Sequence, residues 1–303
     1  MPDPDRLVHI VDDVPELEGL NELAMVLVLD GFLDAGNAAA IAARHLVDQS
    51  GGGRVVATFE VDEFHDYRAR RPPMSFVRDH YEQYDAPRLV VRLLGDASGA
   101  PYLLLHGPEP DNRWEAFAGA VRQVVERFGV HRVIGMGAVP MAVPHTRPIA
   151  ITRHANNPDL LSGDSPWRGE LRIPSSAQAL VELRLGEWSH DSMGFVAHIP
   201  HYVAQFDYPQ AAVALLEGLE DVTGLQWELD SLKEAGEARQ VEIATQIADS
   251  DDVRDVVSGL EQQYDAYHSK AANLLADDEP LPSGEEIGAQ FEQFLARLEE
   301  PED

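Results

Sequence analysis

The sequence predicts an α/β protein: a three-layer α/β/α sandwich around a mainly parallel sheet, with a helical domain after it. Three observations carry this. Short β-branched runs alternate with helical patterns from residue 7 to about 222. The runs VLVL, RVVATF and RVIGM lack polar alternation, as strands covered on both faces do. After about Leu225 the strand signals stop and only helical stretches follow. The expected division is an α/β/α domain over residues 1–224 and an acidic helical domain over residues 225–303.

Candidate strands run over Leu7–Val11, Ala24–Leu29, Arg54–Phe59, Arg88–Leu93, Tyr102–Leu105, Arg132–Met136, Ile149–Thr152 and Phe195–Ile199. Candidate helices begin near Asn37, Asp111, Ser176 and Tyr208. In DNRWEAFAGAVRQVVERFG, Trp114, Phe117, Val121, Val124, Val125 and Phe128 recur at helical spacing. Asp111 or Asn112 can cap that helix, and Gly129 suits the left-handed position after its end. Residues 63–88 break the alternation with a basic run, the pair Pro72-Pro73 and several aromatics, and read as an excursion loop with room for a short helix. The stretch from His154 to Pro174 reads as a long surface crossing. Beyond Leu225, two helical stretches break near Asp249–Ser250, and Ser283 with Glu286 forms a capping box for a last amphipathic helix.

Composition narrows the function. No apolar run approaches the ~18 residues that span a bilayer, and the acidic start MPDPDRLVHIVDD does not read as a signal peptide. With no cysteine there is no thiolate metal site or cysteine nucleophile. The expected location is the cytoplasm. A net charge of −30 repels phosphate backbones and anionic lipids, so neither nucleic acid nor membrane is an expected partner. Residues 216–303 hold 24 Asp and Glu against 5 Lys and Arg, which places 19 of the excess negative charges there. Such a run is either a solvated helical face or an acidic face for a basic partner.

The most suggestive motif is the strand–turn–helix around Gly31 and Gly36, whose G-x-x-x-x-G spacing is that of a phosphate-binding loop. That loop needs Lys and a hydroxyl next, whereas Asn37 and Ala38 follow, and Asp30 and Asp34 repel phosphate. The helix N-terminus still offers free N–H groups to a carboxylate or a partner's acidic side chain, unless Asp34 caps it. Gly135 and Gly137 follow an apolar strand as G-x-G-x-x-P, without the third glycine of a dinucleotide site. If the strands are parallel, Asp30–Gly36, His106–Asn112 and Gly135–His145 emerge together at their carboxyl ends, where ligands of open sheets bind. The candidate ligand or partner pocket is therefore Asp30, Gly31, Asp34, Gly36, Asn37, His106, Asp111, Asn112, Gly135, Gly137 and His145. His198 and His201 flank a proline and carry no HExxH pattern, so no metal is expected. No G-x-S-x-G elbow occurs, and Ser98, Ser162 and Ser165 have no marked base beside them. The island Arg68, Arg70 and Arg71 is a candidate oligomer contact, pairing either with its own carboxylates or with a neighbouring subunit's acidic helices.

Taken together, DGFLDAGNAAAIAARHL, YLLLHGPEPDNRWEAF, GMGAVPMAVPHTRP and SSAQALVELRLGEWSHDSMGFVAHIPHYVAQFDYPQAA resemble the PAC2 family of proteasome assembly chaperones, in its actinobacterial branch. The resemblance spans roughly residues 8–220, and the tail LPSGEEIGAQFEQFL is similar to that branch's extension. It implies a nucleoside-phosphorylase-like α/β/α domain, a helical addition and a homo-oligomer. It also implies a protein partner and an assembly-chaperone-like role. Chaperones of the family bind proteasome α-subunits, several through a hydrophobic-Tyr-X tail. This sequence reads Pro301-Glu302-Asp303 at its end, so the proteasome itself is not the expected partner. No cofactor is expected. The alternative is a small-molecule enzyme, a hydrolase or nucleoside-phosphorylase-like activity, using the pocket at the strand ends.

Overall fold

The computed structural model describes residues 7–31, 33–161, 170–248 and 251–273. Its main sheet has eight strands: β1 (Val8–Ile10), β2 (Ala24–Asp30), β3 (Arg54–Phe59), β6 (Val90–Gly95), β7 (Pro101–Pro108), β8 (Arg132–Met141), β9 (Ile151–Ala155) and β10 (Ser192–Pro200). Their order is β1-β3-β6-β7-β2-β8-β10-β9. The central run β7-β2-β8-β10 is parallel, and antiparallel strands flank it on both sides. All eight predicted strands are present, and the sheet is mixed with a parallel centre.

Four helices cover the two faces, and alternation along β2 explains why its sequence is apolar from Ala24 to Leu29. Val26 and Val28 enter one core, with α1 (Ala38–Gln49) and α4 (Pro209–Thr223) above them. Met25 and Leu27 enter the other, against α2 (Trp114–Phe128) and α3 (Ala177–Glu187). Truncating such a side chain to alanine costs about 2–5 kcal/mol, because the close-packed surroundings relax only partly. Alanines dominate the sheet-facing side of α1, namely Ala38, Ala39, Ala42 and Ala43, and let its backbone lie close to the strands.

The first turns of the C-terminal region continue the core of the sandwich. Leu225, Trp227, Leu229 and Leu232 join the α1–α4 cluster, as does Ile243 of α5 (Asp230–Ala248). The indole N–H of Trp227 donates to the Tyr102 hydroxyl at 3.3 Å, with the rings edge-to-face. Attachment of α6 (Asp251–Asn273) is more polar. Arg147 grips Asp265 with two hydrogen bonds of 2.8 and 2.7 Å, and the Tyr264 hydroxyl donates to the Pro148 carbonyl at 2.9 Å.

Two local expectations are corrected. The excursion contains a β-hairpin, β4 (Met74–Val77) with β5 (His80–Tyr84), where a short helix was allowed for. Met74 and Phe76 alternate along β4, and Arg78 adopts φ 56° at the turn, so the segment pairs with itself. Nor does Asp111 or Asn112 cap α2: Arg113 holds the position before it, with φ 59° and no side-chain capping bond. The crossing predicted from His154 begins inside β9, and its centre lies outside the described residues together with Ser162 and Ser165. So does the predicted last helix from Ser283.

Candidate functional site

The turn between β2 and α1 builds its own contents. The Asp34 carboxylate accepts the amides of Ala39 and Ala40, both at 2.9 Å, and so fills the helix terminus that an anion would occupy. Burial pushes the Asp34 pKa above its ordinary value, against the lowering pull of those amides. Above the turn runs the segment 201–208. The Gly36 amide donates to the Ala204 carbonyl at 2.8 Å, and the Tyr208 amide returns a bond of 2.8 Å to the Gly36 carbonyl. Gly36 has φ +69°, and a Cβ there would stand 2.7 Å from that of Tyr208, so glycine is required. Asn37, also left-handed at φ 50°, donates from its side-chain Nδ2 to Asp207 at 2.6 Å.

A second group gathers around Arg70. Its guanidinium pairs with Asp111 at 2.8 Å, donates to the Glu109 carbonyl, and passes 3.3 Å from the position of a Gly31 Cβ. Asp111 also accepts the Asp66 amide at 2.6 Å. Burial opposes ionisation of Asp111, but the Arg70 and Asp66 hydrogen bonds hold its pKa below the ordinary carboxylate value. His65 is buried beside it, with Nε2 donating to the Arg70 carbonyl at 2.8 Å and Nδ1 3.6 Å from Asp111. Asn112 donates to the Phe64 carbonyl at 3.3 Å, and the Asp30 carbonyl accepts the Glu109 amide at 2.7 Å. These bonds fasten the root of the hairpin excursion to the strand ends.

His145 and His106 stand apart from both groups. The Tyr202 hydroxyl accepts the His145 backbone amide at 2.8 Å and is hydrogen-bonded to its Nδ1, also at 2.8 Å. Burial holds the His145 pKa below the ordinary histidine value, with Glu261 opposing. The His145 carbonyl accepts from Gln240 of α5 at 3.0 Å. His106 lies within β7, opposite Val28, and its Nε2 accepts from Arg92 at 2.9 Å. Burial and then the Arg92 charge push its pKa down to about 4. On β8, Gly135 is covered by Gln178 of α3, while Gly137 faces open space.

The structure thus distributes the predicted residues over several internally bonded groups along the carboxyl edge. One cavity there, about 10 Å³ between Phe64, His65, Leu89 and Pro110, has room for a single water. A larger groove of about 460 Å³ lies at the opposite edge, between Ser50, Arg54, Gly95 and Pro101. Among the described residues, no cluster of three His, Asp or Glu side chains could hold a metal, and no helix is long and apolar enough to cross a membrane. Sequence reasoning missed Tyr202, Tyr208, Gln240 and His65. The tyrosines lie in HYVAQFDYP, directly after a strand, which is the only local signal they leave.

Comparison with curated proteins gives no match. Among solved structures, the chain is similar to a Mycobacterium tuberculosis protein of unknown function, with 43% identity and a TM-score of 0.83 over 90% of this chain and 93% of that one. It is also similar to a Corynebacterium glutamicum protein of unknown function, at 34% identity and a TM-score of 0.83 over 88% and 99% of the two chains. A Mycobacterium tuberculosis proteasome-assembly chaperone homologue follows, at 25% identity and a TM-score of 0.68 over 78% and 100%. The family model described as PAC2 family matches residues 28–247. The chain therefore belongs to the PAC2 family.

Proposed function

We propose that the protein is a protein-binding module of the assembly-chaperone kind, working as a homo-oligomer in the cytoplasm. One observation carries this reading. The most ligand-like motif of the sequence, the turn before α1, is filled by Asp34 and covered by residues 201–208. Glycines and carboxylates that suggested a pocket serve to join β2, α1 and α4. The likeness to a proteasome-assembly chaperone homologue supports a protein partner without naming it. A chain of net charge −30 favours a partner with a basic or apolar contact surface over an acidic one. Support for the homo-oligomer comes from Arg68 and Arg71, which are exposed and form no ion pair with the described residues, whereas Arg70 is engaged by Asp111.

Affinity capture from native lysate, with cross-linking, tests the reading. The expected result is a reproducible foreign protein cross-linked to this chain, and recovery of the chain alone contradicts it. A thermal-shift screen of nucleosides, sugars and acyl compounds is expected to leave the melting temperature unchanged. A reproducible stabilisation by one compound class contradicts the assignment of the strand ends to architecture.

A further inference from the structure

The hairpin β4–β5 places Met74, Phe76, Tyr81 and Tyr84 in solvent, at 52, 60, 72 and 46% exposure. Phe76 pairs with Tyr81, their rings meeting edge-on at 5.1 Å, and Met74 pairs with Tyr84 beyond a register shift. A two-stranded hairpin is marginal alone in water. One that leaves four large side chains uncovered has the character of a contact surface.

Charge decides what covers it. From Tyr67 to Tyr84 the chain has four arginines, of which Arg70 is paired with Asp111, against the two carboxylates Asp79 and Glu82, within a molecule of net charge −30. The stretch keeps a small net positive charge, which an acidic face of a second copy can approach. The complementary face is on α5. Glu234, Glu237 and Val241 recur there at i, i+3 and i+7, all exposed, with Val241 66% in solvent. Neither glutamate forms an ion pair with the described residues. An acidic helix face with an uncovered valine thus matches an arginine-flanked hairpin with uncovered aromatics.

We propose that the hairpin of one copy packs on the α5 face of a second. Phe76 and Tyr81 cover Val241, while Arg68, Arg71 and Arg78 face Glu234 and Glu237. This contact rests on the homo-oligomer reading above and specifies it. It joins two different surfaces, so repetition around an axis closes a ring or, if the rotation does not close, extends a chain.

Light scattering of the full chain after size-exclusion chromatography tests the contact, with circular dichroism confirming that each variant is folded. The wild type is expected to have a multiple of the protomer mass. The variants Phe76→Ser/Tyr81→Ser and Glu234→Arg/Glu237→Arg are each expected to fall to one protomer. Combining Arg68→Glu/Arg71→Glu with Glu234→Arg/Glu237→Arg in one chain is expected to restore the assembly, because the charges are exchanged across the contact. A monomeric wild type overturns the homo-oligomer reading and this contact with it. An oligomeric wild type whose mass survives both variants overturns the contact alone. Loss in the hairpin variant without loss in the α5 variant overturns α5 as the receiving face.

Discussion

The turn at Asp34–Asn37 and the hairpin at Met74–Tyr84 are opposites in one chain. Sequence draws attention to the turn, with its glycines and carboxylates at a strand end, yet its polar groups are met by Ala39, Ala40, Ala204, Asp207 and Tyr208. The hairpin has no motif, yet its large side chains remain in solvent. A polar group with an internal partner gains little from a ligand, because binding only exchanges one hydrogen bond for another. An apolar face in water still has its burial free energy to gain, about 25 cal/mol per Å² covered. Function in this molecule is therefore sought where groups are unmet.

The comparison predicts that substitutions in the turn act on stability and those in the hairpin do not. The largest effect is expected from Gly36→Ala, whose Cβ meets Tyr208 at a left-handed position. It should lose about 2–4 kcal/mol in denaturant unfolding, and a loss below about 0.5 kcal/mol would break the account of the turn.

Next comes His106. Its folded pKa of about 4 lies below the ordinary 6.5, so the unfolded chain binds more protons between these values. The contribution is complete above about pH 6.5 and is lost as the pH falls toward 4. Allowing for partial exposure, it amounts to about 2 kcal/mol. His106→Gln should flatten this acid limb of the stability profile, and an unchanged limb would assign it to other groups. Asp34→Ala removes a helix cap and should cost about 1 kcal/mol, measured the same way. Smallest is Phe76→Ser/Tyr81→Ser, which should alter the unfolding free energy of the dissociated protomer by less than about 0.5 kcal/mol.

Most of the sheet is legible in the sequence, because Val26 and Val28 face one core while Met25 and Leu27 face the other, and the strand is apolar from Ala24 to Leu29. The hairpin is not legible. Its strands are short, a register shift separates Met74 from Phe76, and arginines and prolines precede them. The start of α2 is missed because Asp111 is bonded to Arg70 and to the Asp66 amide, contacts that no local pattern announces. Of the candidate site, Asp34 is readable as a helix cap. The bonds of His145 to Tyr202 and Gln240 span 57 and 95 residues, beyond the reach of any sequence window.

Amide hydrogen exchange tests the contrast most directly, comparing the wild type with Glu234→Arg/Glu237→Arg, a change distant in sequence from both regions. The account predicts slow exchange at Gly36, Ala39, Ala40 and Tyr208 in both proteins, with Val77 and Tyr81 protected in the wild type and exposed in the variant. Fast exchange throughout the turn, together with hairpin protection that the variant leaves intact, would contradict it.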